Sequence, residues 1–259
     1  MKTTGTEDLP RGTAAAMTLL KENLDRVEDA INSACRVASR SRSSVELMAV
    51  SKTYSAETIA EAAHLGLPLF GENRVQEFAS KAPAIETLRH NAANQMRVHL
   101  IGHLQSNKSA RAVELFDAVD SVDSLRLAER LDDAAGKLGK RLPVLIEVKI
   151  SNEETKSGVE PESEETARLL ERLPDLQHLE MRGLMTIAPW GVAPELTRAC
   201  FRQLREYRER WAAAHPRLAF EVLSMGMSGD FALAIEEGAT RIRIGTALFG
   251  KRKPYTGDE

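Results

Sequence analysis

The feature that most narrows the fold is an alternation of short apolar runs with longer amphipathic ones. VELMAVS (Val45–Ser51), PLFGEN (Pro68–Asn73), RVHLIG (Arg97–Gly102) and FDAVDSV (Phe116–Val122) read as buried strands. So do PVLIEVKI (Pro143–Ile150), LEMRGLMTI (Leu179–Ile187), FEVLSM (Phe220–Met225) and RIRIG (Arg241–Gly245). A first helix carries Met17, Leu20, Leu24, Val27, Ile31 and Ala34 as one stripe. Ser55–Gly66 reads as a helix with Ser55 as N-cap and Gly66 as its stop. A Ser124-capped helix holds Leu127, Leu131, Ala135 and Leu138 inside, and Pro161–Leu173 is another. Pro194–Ala214 carries Leu196, Cys200, Leu204, Tyr207 and Trp211 on one side, and Asp230–Glu237 ends at Gly238. Strands alternating with helices imply βαβ units and a parallel sheet. Eight strands in 259 residues predict an α/β chain folded as one closed (β/α)8 barrel, a form that uses about 250 residues. An open doubly wound sheet is the competing architecture. The barrel is expected over residues 16–252, after a loose arm (1–15) and before a tail (253–259).

Charge excludes some partners. With 35 Lys+Arg against 38 Asp+Glu, the net charge is −3, too little positive charge for a general nucleic-acid binder. No apolar run reaches the roughly 20 residues that span a bilayer, and the first residues lack a signal-peptide core. Cys35 and Cys200 form no CxxC pair and read as core residues on helices. A cytoplasmic protein is expected.

In a barrel the active site lies at the C-terminal strand ends. Polar residues gather there: Ser51-Lys52-Thr53 after the first strand, Gly71–Glu77 after the second, Gly102–Lys108 after the third. Asp120, Ser121 and Asp123 follow the fourth, and Ser151, Asn152 and Lys156-Ser157-Gly158 the fifth. The opposite strand ends look blander. Lys52 closes a buried strand and shares parity with Met48 and Val50. Burial lowers a lysine pKa, and the neutral amine attacks carbonyls, the chemistry of a Schiff-base lysine. The simpler reading is a strand-end lysine paired with a carboxylate. The loops SMGMSGD (Ser224–Asp230) and RIGT (Arg243–Thr246) combine glycines, hydroxyls and a helix start after strands seven and eight, a common phosphate site. Arg243, inside the run Ile242–Ile244, needs a buried partner, either a protein carboxylate or a ring nitrogen of an aromatic cofactor. His99 and His103 on one extended strand would lie about 13 Å apart, so they share no metal. His64, His90, His178 and His215 read as surface residues.

AVSKTYSAETIAEAAHLGLPLFGENRVQE, HLIGHLQSNK, VKISNEETKSG, MRGLMTI, LSMGMSGDFALAIEEGATRIRIGTALFG and Lys251-Arg252 together resemble the YggS/PROSC family of pyridoxal-phosphate homeostasis proteins. The resemblance runs from the first helix to residue 252. It implies a single TIM barrel like the N-terminal domain of alanine racemase. By the same resemblance, Lys52 forms the Schiff base with pyridoxal 5'-phosphate and Asn73 lies close to the cofactor. Ser224, Gly245 and Thr246 match phosphate-binding positions, with Ser228 joining them, and Arg243 faces the pyridine nitrogen. Lys156 matches a loop where some members carry a further reactive lysine.

The function expected is capture of pyridoxal 5'-phosphate as a lysine Schiff base, and its buffering or delivery to apo PLP-dependent enzymes, by a monomer without turnover. The main rival is a one-domain amino-acid racemase. Two-base racemisation needs a second acid or base opposite the cofactor. None of Tyr54, Tyr207 and Tyr255 stands in a segment suited to that role. Two lesser rivals are a cofactor-free Schiff-base aldolase and a partner-binding protein whose cofactor load is a signal.

Overall fold

The computed structural model describes residues 14–89, 96–150 and 157–250. Strands β1 (Glu46–Val50), β2 (Leu69–Glu72), β3 (Arg97–Leu100), β4 (Ala118–Val122), β5 (Leu142–Glu147), β6 (Leu179–Met185), β7 (Val222–Ser224) and β8 (Arg241–Ile244) are parallel and close into a barrel in chain order. β8 pairs with β1, Glu46 opposite Arg241 and Met48 opposite Arg243, so the closed form holds and the open sheet does not. Around it lie α1 (Ala14–Val37), α2 (Ala56–His64), α3 (Val75–Arg89), α4 (Ser109–Leu115), α5 (Leu125–Lys137), α6 (Glu164–Arg172), α7 (Pro194–Ala214), α8 (Phe231–Glu236) and α9 (Thr246–Phe249). α1 precedes the barrel and packs against α8 and α9, where Asn23 donates to the Leu248 carbonyl at 2.8 Å.

Capping residues act where the sequence predicts them. The Ser55 and Ser124 hydroxyls accept from the N–H groups of Thr58 and Leu127, and Gly66 follows α2 in the left-handed region at φ 92°. Some helical expectations differ. α1 starts at Ala14, two residues early, and α6 starts after Ser163 rather than at Pro161. The sequence pattern does not announce α3, because Pro83 interrupts its stripe; the helix tolerates that proline on an exposed face while Val75, Phe78, Ala82 and Ile85 are buried. Leu138 and Leu196 are exposed rather than inside, because each sits at a helix end, beyond the contact with the sheet. Cys35 and Cys200 are buried free thiols, as expected.

Strand alternation sorts side chains into two compartments. Leu47, Ala49, Phe70, Val98 and Leu100 join the large core between sheet and helices. Met48, Val50, Leu69 and Ile101, of opposite parity, form a small separate cluster on the barrel axis. Below that plug lies a charged layer absent from the sequence expectation, in which the N-terminal end is bland. Arg241 donates to Glu46 at 2.8 Å and to Asp120 at 3.0 Å, and His99 Nδ1 lies 3.1 Å from Asp120. Arg97 extends the chain to the other Glu46 oxygen at 2.7 Å. Asp120, expected on the rim after β4, instead lies within that strand and faces the axis. His99 is buried here, whereas His103 is exposed against Asp123, so the two histidines do not meet. Among the described residues no cluster of potential metal ligands occurs, and no helix is long and apolar enough to cross a membrane.

Burial pushes the Asp120 carboxyl up, but His99 and Arg241 outweigh it and hold the pKa below its ordinary value. Burial likewise opposes, and Arg241 and Arg97 outweigh, at Glu46. Carboxyls depressed in the folded state stabilise above their unfolded pKa, and that stability is lost as the pH falls through the folded value. Unfolding free energy measured in urea between about pH 6 and pH 3 is expected to fall more steeply in the wild type than in Asp120→Asn. Equal slopes would remove the acid-labile role of this layer.

Candidate cofactor site

Four neighbouring strands, β7, β8, β1 and β2, carry all seven residues singled out from the sequence to one end of the barrel. β1 ends at Val50, and Lys52 stands two residues later in a turn closed by the Tyr54 N–H on the Ser51 carbonyl at 3.0 Å. Met48 and Val50 share one face, as their parity predicts, and that face is the axis side. Lys52 is half-buried rather than buried, because the chain has already left the strand and turned into the barrel mouth. Tyr54 fixes the far side of the turn. Its hydroxyl donates to the Gly250 carbonyl at 2.9 Å, and its ring packs on Phe249 at 4.8 Å, so the turn is held against α9.

Asn73 follows β2 directly and is half-buried. Its backbone is approached closely by the segment that follows β3: a Cβ on Gly102 would stand 2.3 Å from the Asn73 carbonyl oxygen, so only glycine fits there. The β7–α8 loop is equally constrained. Gly226 takes φ 92°, and a Cβ on it would meet Ala234 at 2.6 Å. The Asp230 carboxylate accepts the Met227 N–H and closes the loop. That folding brings the Ser228 hydroxyl to the start of α9, where it accepts the Ala247 N–H at 3.3 Å. Gly245 and Thr246 begin that helix, Thr246 exposed to solvent. Ser228, Gly245 and Thr246 therefore meet in one place. The first N–H groups of a helix lack intrahelical acceptors and suit an anion.

Ser224 goes elsewhere. It is fully buried, and Arg243 Nη1 donates to its hydroxyl at 2.9 Å and its carbonyl at 2.7 Å. Arg243 Nη2 donates to the Thr186 carbonyl at 2.8 Å. The Arg243 partners among the described residues are thus a hydroxyl and two carbonyl oxygens, not the carboxylate that the simpler sequence reading supplied. Burial pulls its pKa below the ordinary value, against the more distant carboxylates Asp120, Glu147 and Asp230. Glu147 closes β5 in the same end of the barrel, where the Ser157 hydroxyl donates to it at 3.1 Å and 3.2 Å. Burial raises its pKa, and likewise that of Asp230. Ser151, Asn152 and Lys156 of the β5–α6 loop, His90 and Lys251-Arg252 lie outside the described residues.

Sequence reasoning counted Glu72 and Glu77 only among the polar residues after the second strand and missed Lys81, which the structure joins with them behind the Lys52 turn. The one local signal was the Glu77–Lys81 spacing of four on an unrecognised helix.

Comparison with known proteins decides the family. Residues 23–253 match the alanine racemase N-terminal domain family. A pyridoxal phosphate homeostasis protein of Aquifex aeolicus is 43% identical over 232 residues, covering 90% of this chain and 98% of that protein. The chain belongs to the pyridoxal phosphate homeostasis protein family. Another relative is PipY of Synechococcus elongatus, whose structure with PLP bound is 42% identical and superposes with TM-score 0.75, covering 85% of this chain and all (100%) of that one. Alanine racemase of Clostridium difficile, 16% identical with TM-score 0.72, shares the fold over 93% of this chain and 58% of its own. The homeostasis-protein family thus has the closed barrel expected from the strand count.

The Ser224 hydroxyl is one of three acceptors for a buried cation. Ser224→Ala is expected to lower the unfolding free energy in urea by about 1.5–3 kcal/mol. A variant as stable as the wild type would show that the hydroxyl does not anchor Arg243.

Proposed function

We propose that the protein binds pyridoxal 5'-phosphate in the C-terminal mouth of its barrel and holds it as a cytoplasmic monomer, buffering it or passing it to apo PLP-dependent enzymes. One observation carries this reading. A buried arginine held by neutral acceptors lies in register beside the strand that leads to Lys52, with an anion-suited helix start two residues beyond it. The residues fit the group. When bound, it supplies an aldehyde that condenses with a primary amine and releases water, a pyridine nitrogen and a phosphate.

Lys52 presents the amine for that aldehyde. The Ser228 hydroxyl and the backbone at Gly245 and Thr246 would hold the phosphate, where helix-terminal N–H groups favour negative charge. Arg243 would serve the ring nitrogen as a donor, and Asn73 would help hold the ring. A guanidinium donor keeps that nitrogen unprotonated and so weakens the ring as an electron sink, which suits holding over turnover. Ser224 serves through Arg243, whose direction it fixes, rather than through the phosphate. The relatives of 43% and 41% identity from Aquifex aeolicus and Vibrio cholerae are pyridoxal phosphate homeostasis proteins, which supports the same role.

Purified protein mixed with pyridoxal 5'-phosphate is expected to turn yellow, and borohydride should make the label permanent. Lys52→Ala should give neither the bound visible band nor a reducible label. A variant that keeps both would remove Lys52 from the role.

A further inference from the structure

The peptide on both sides of Lys52 is tied to three charged side chains that line no part of the barrel axis. Glu72 ends β2 with parity opposite to Leu69, so its side chain enters the wall between β1 and α3, where it is fully buried. The Ser51 hydroxyl donates to it at 2.7 Å. Lys81 on α3 is buried too. Its ammonium donates to Glu72 at 3.1 Å and 3.2 Å, to Glu77 at 2.7 Å and to the Ser51 carbonyl at 3.2 Å. The same Glu77 oxygen accepts the Thr53 N–H. Thr53 is held at φ 69°, a region that a β-branched residue rarely adopts. So the residue before Lys52 is fixed through its hydroxyl and carbonyl, and the residue after it through its N–H.

A buried ion cluster is a poor way to stabilise a wall that apolar residues would fill as well. Burial drives the Glu72 carboxyl above its ordinary pKa despite Lys81 and Ser51, whereas at Glu77 the Lys81 and Thr53 bonds outweigh burial and lower it. What the cluster gains in return is a single backbone geometry at residues 51–53.

We propose that Glu72, Lys81 and Glu77 are positioning residues that aim the Lys52 amine at an incoming aldehyde, and so set the rate of cofactor capture. The inference rests on Lys52 as the capturing residue. Rigid placement raises the effective concentration of a reacting group, and a displacement near 1 Å forfeits about 100-fold in rate. Glu77 is the member to change, since it is only partly buried and holds the strained peptide directly.

The test uses the full chain freed of cofactor and three readouts. Stopped-flow absorbance follows capture of pyridoxal 5'-phosphate. Calorimetry measures the Kd of pyridoxine 5'-phosphate, which carries an alcohol in place of the aldehyde. Urea unfolding reports stability. Glu77→Ala is expected to slow capture about 10–100-fold, with the pyridoxine 5'-phosphate Kd unchanged. Glu77→Gln should restore most of the rate, because its amide oxygen still accepts the Thr53 N–H. Lys81→Met, which loosens the same carboxylates, should slow capture as well. Capture by Glu77→Ala at the wild-type rate would overturn the proposal. So would equal losses for both ligands, which would mark general damage to the site. If Lys52→Ala itself captured normally, the underlying reading of Lys52 would fail instead, and that result is distinct from either.

Discussion

The pairing of β8 with β1 is the constraint on which the rest depends. It closes the barrel, and its register sets Met48 opposite Arg243. From that row each strand runs a few residues further before turning. β1 delivers Lys52, and β8 delivers Gly245 and the start of α9. A slip of one residue would turn Arg243 and Arg241 out of the axis and into the apolar core between sheet and helices. Two residues more than 190 positions apart in sequence thus meet because a parallel barrel has no free edge.

The barrel interior is layered by what each level must satisfy. The charged layer at the N-terminal end joins β8, β1, β4 and β3 through Arg241, Glu46, Asp120 and His99. An apolar plug of Met48, Val50, Leu69 and Ile101 sits on the axis with it. Arg243 comes next, two residues beyond Arg241 on the same strand, with no charge partner in contact among the described residues. Buried charges are costly unless paired or well hydrogen-bonded. The lower layer meets that requirement with carboxylates. Arg243 meets it with neutral oxygens, which leaves its positive charge uncompensated at short range, beside the mouth.

The strands were legible because each is a short apolar run flanked by turn residues, and parity then put Met48 and Val50 on one face. Lys52 and the two glycine-rich loops were legible because charged or flexible residues at the end of buried strands need a reason. The charged layer was not. Glu46 and Arg241 look like ordinary strand residues, and Asp120 like a residue of the rim, until closure aims them at one another. Ser224 matches a phosphate-binding position by resemblance, and what the sequence did not reveal is that its hydroxyl accepts from Arg243 across the strand gap. Glu72 and Lys81 were hidden for a related reason. Their pairing depends on where α3 packs, and Pro83 obscured that helix.

The most direct measurement is identification of the lysine that captures the cofactor. Protein loaded with pyridoxal 5'-phosphate is reduced with borohydride, digested, and its labelled peptide sequenced by mass spectrometry. One predominant labelled peptide, containing Val50-Ser51-Lys52-Thr53, is expected at one equivalent per chain. A label carried chiefly by Lys156 or any other lysine would contradict capture by Lys52.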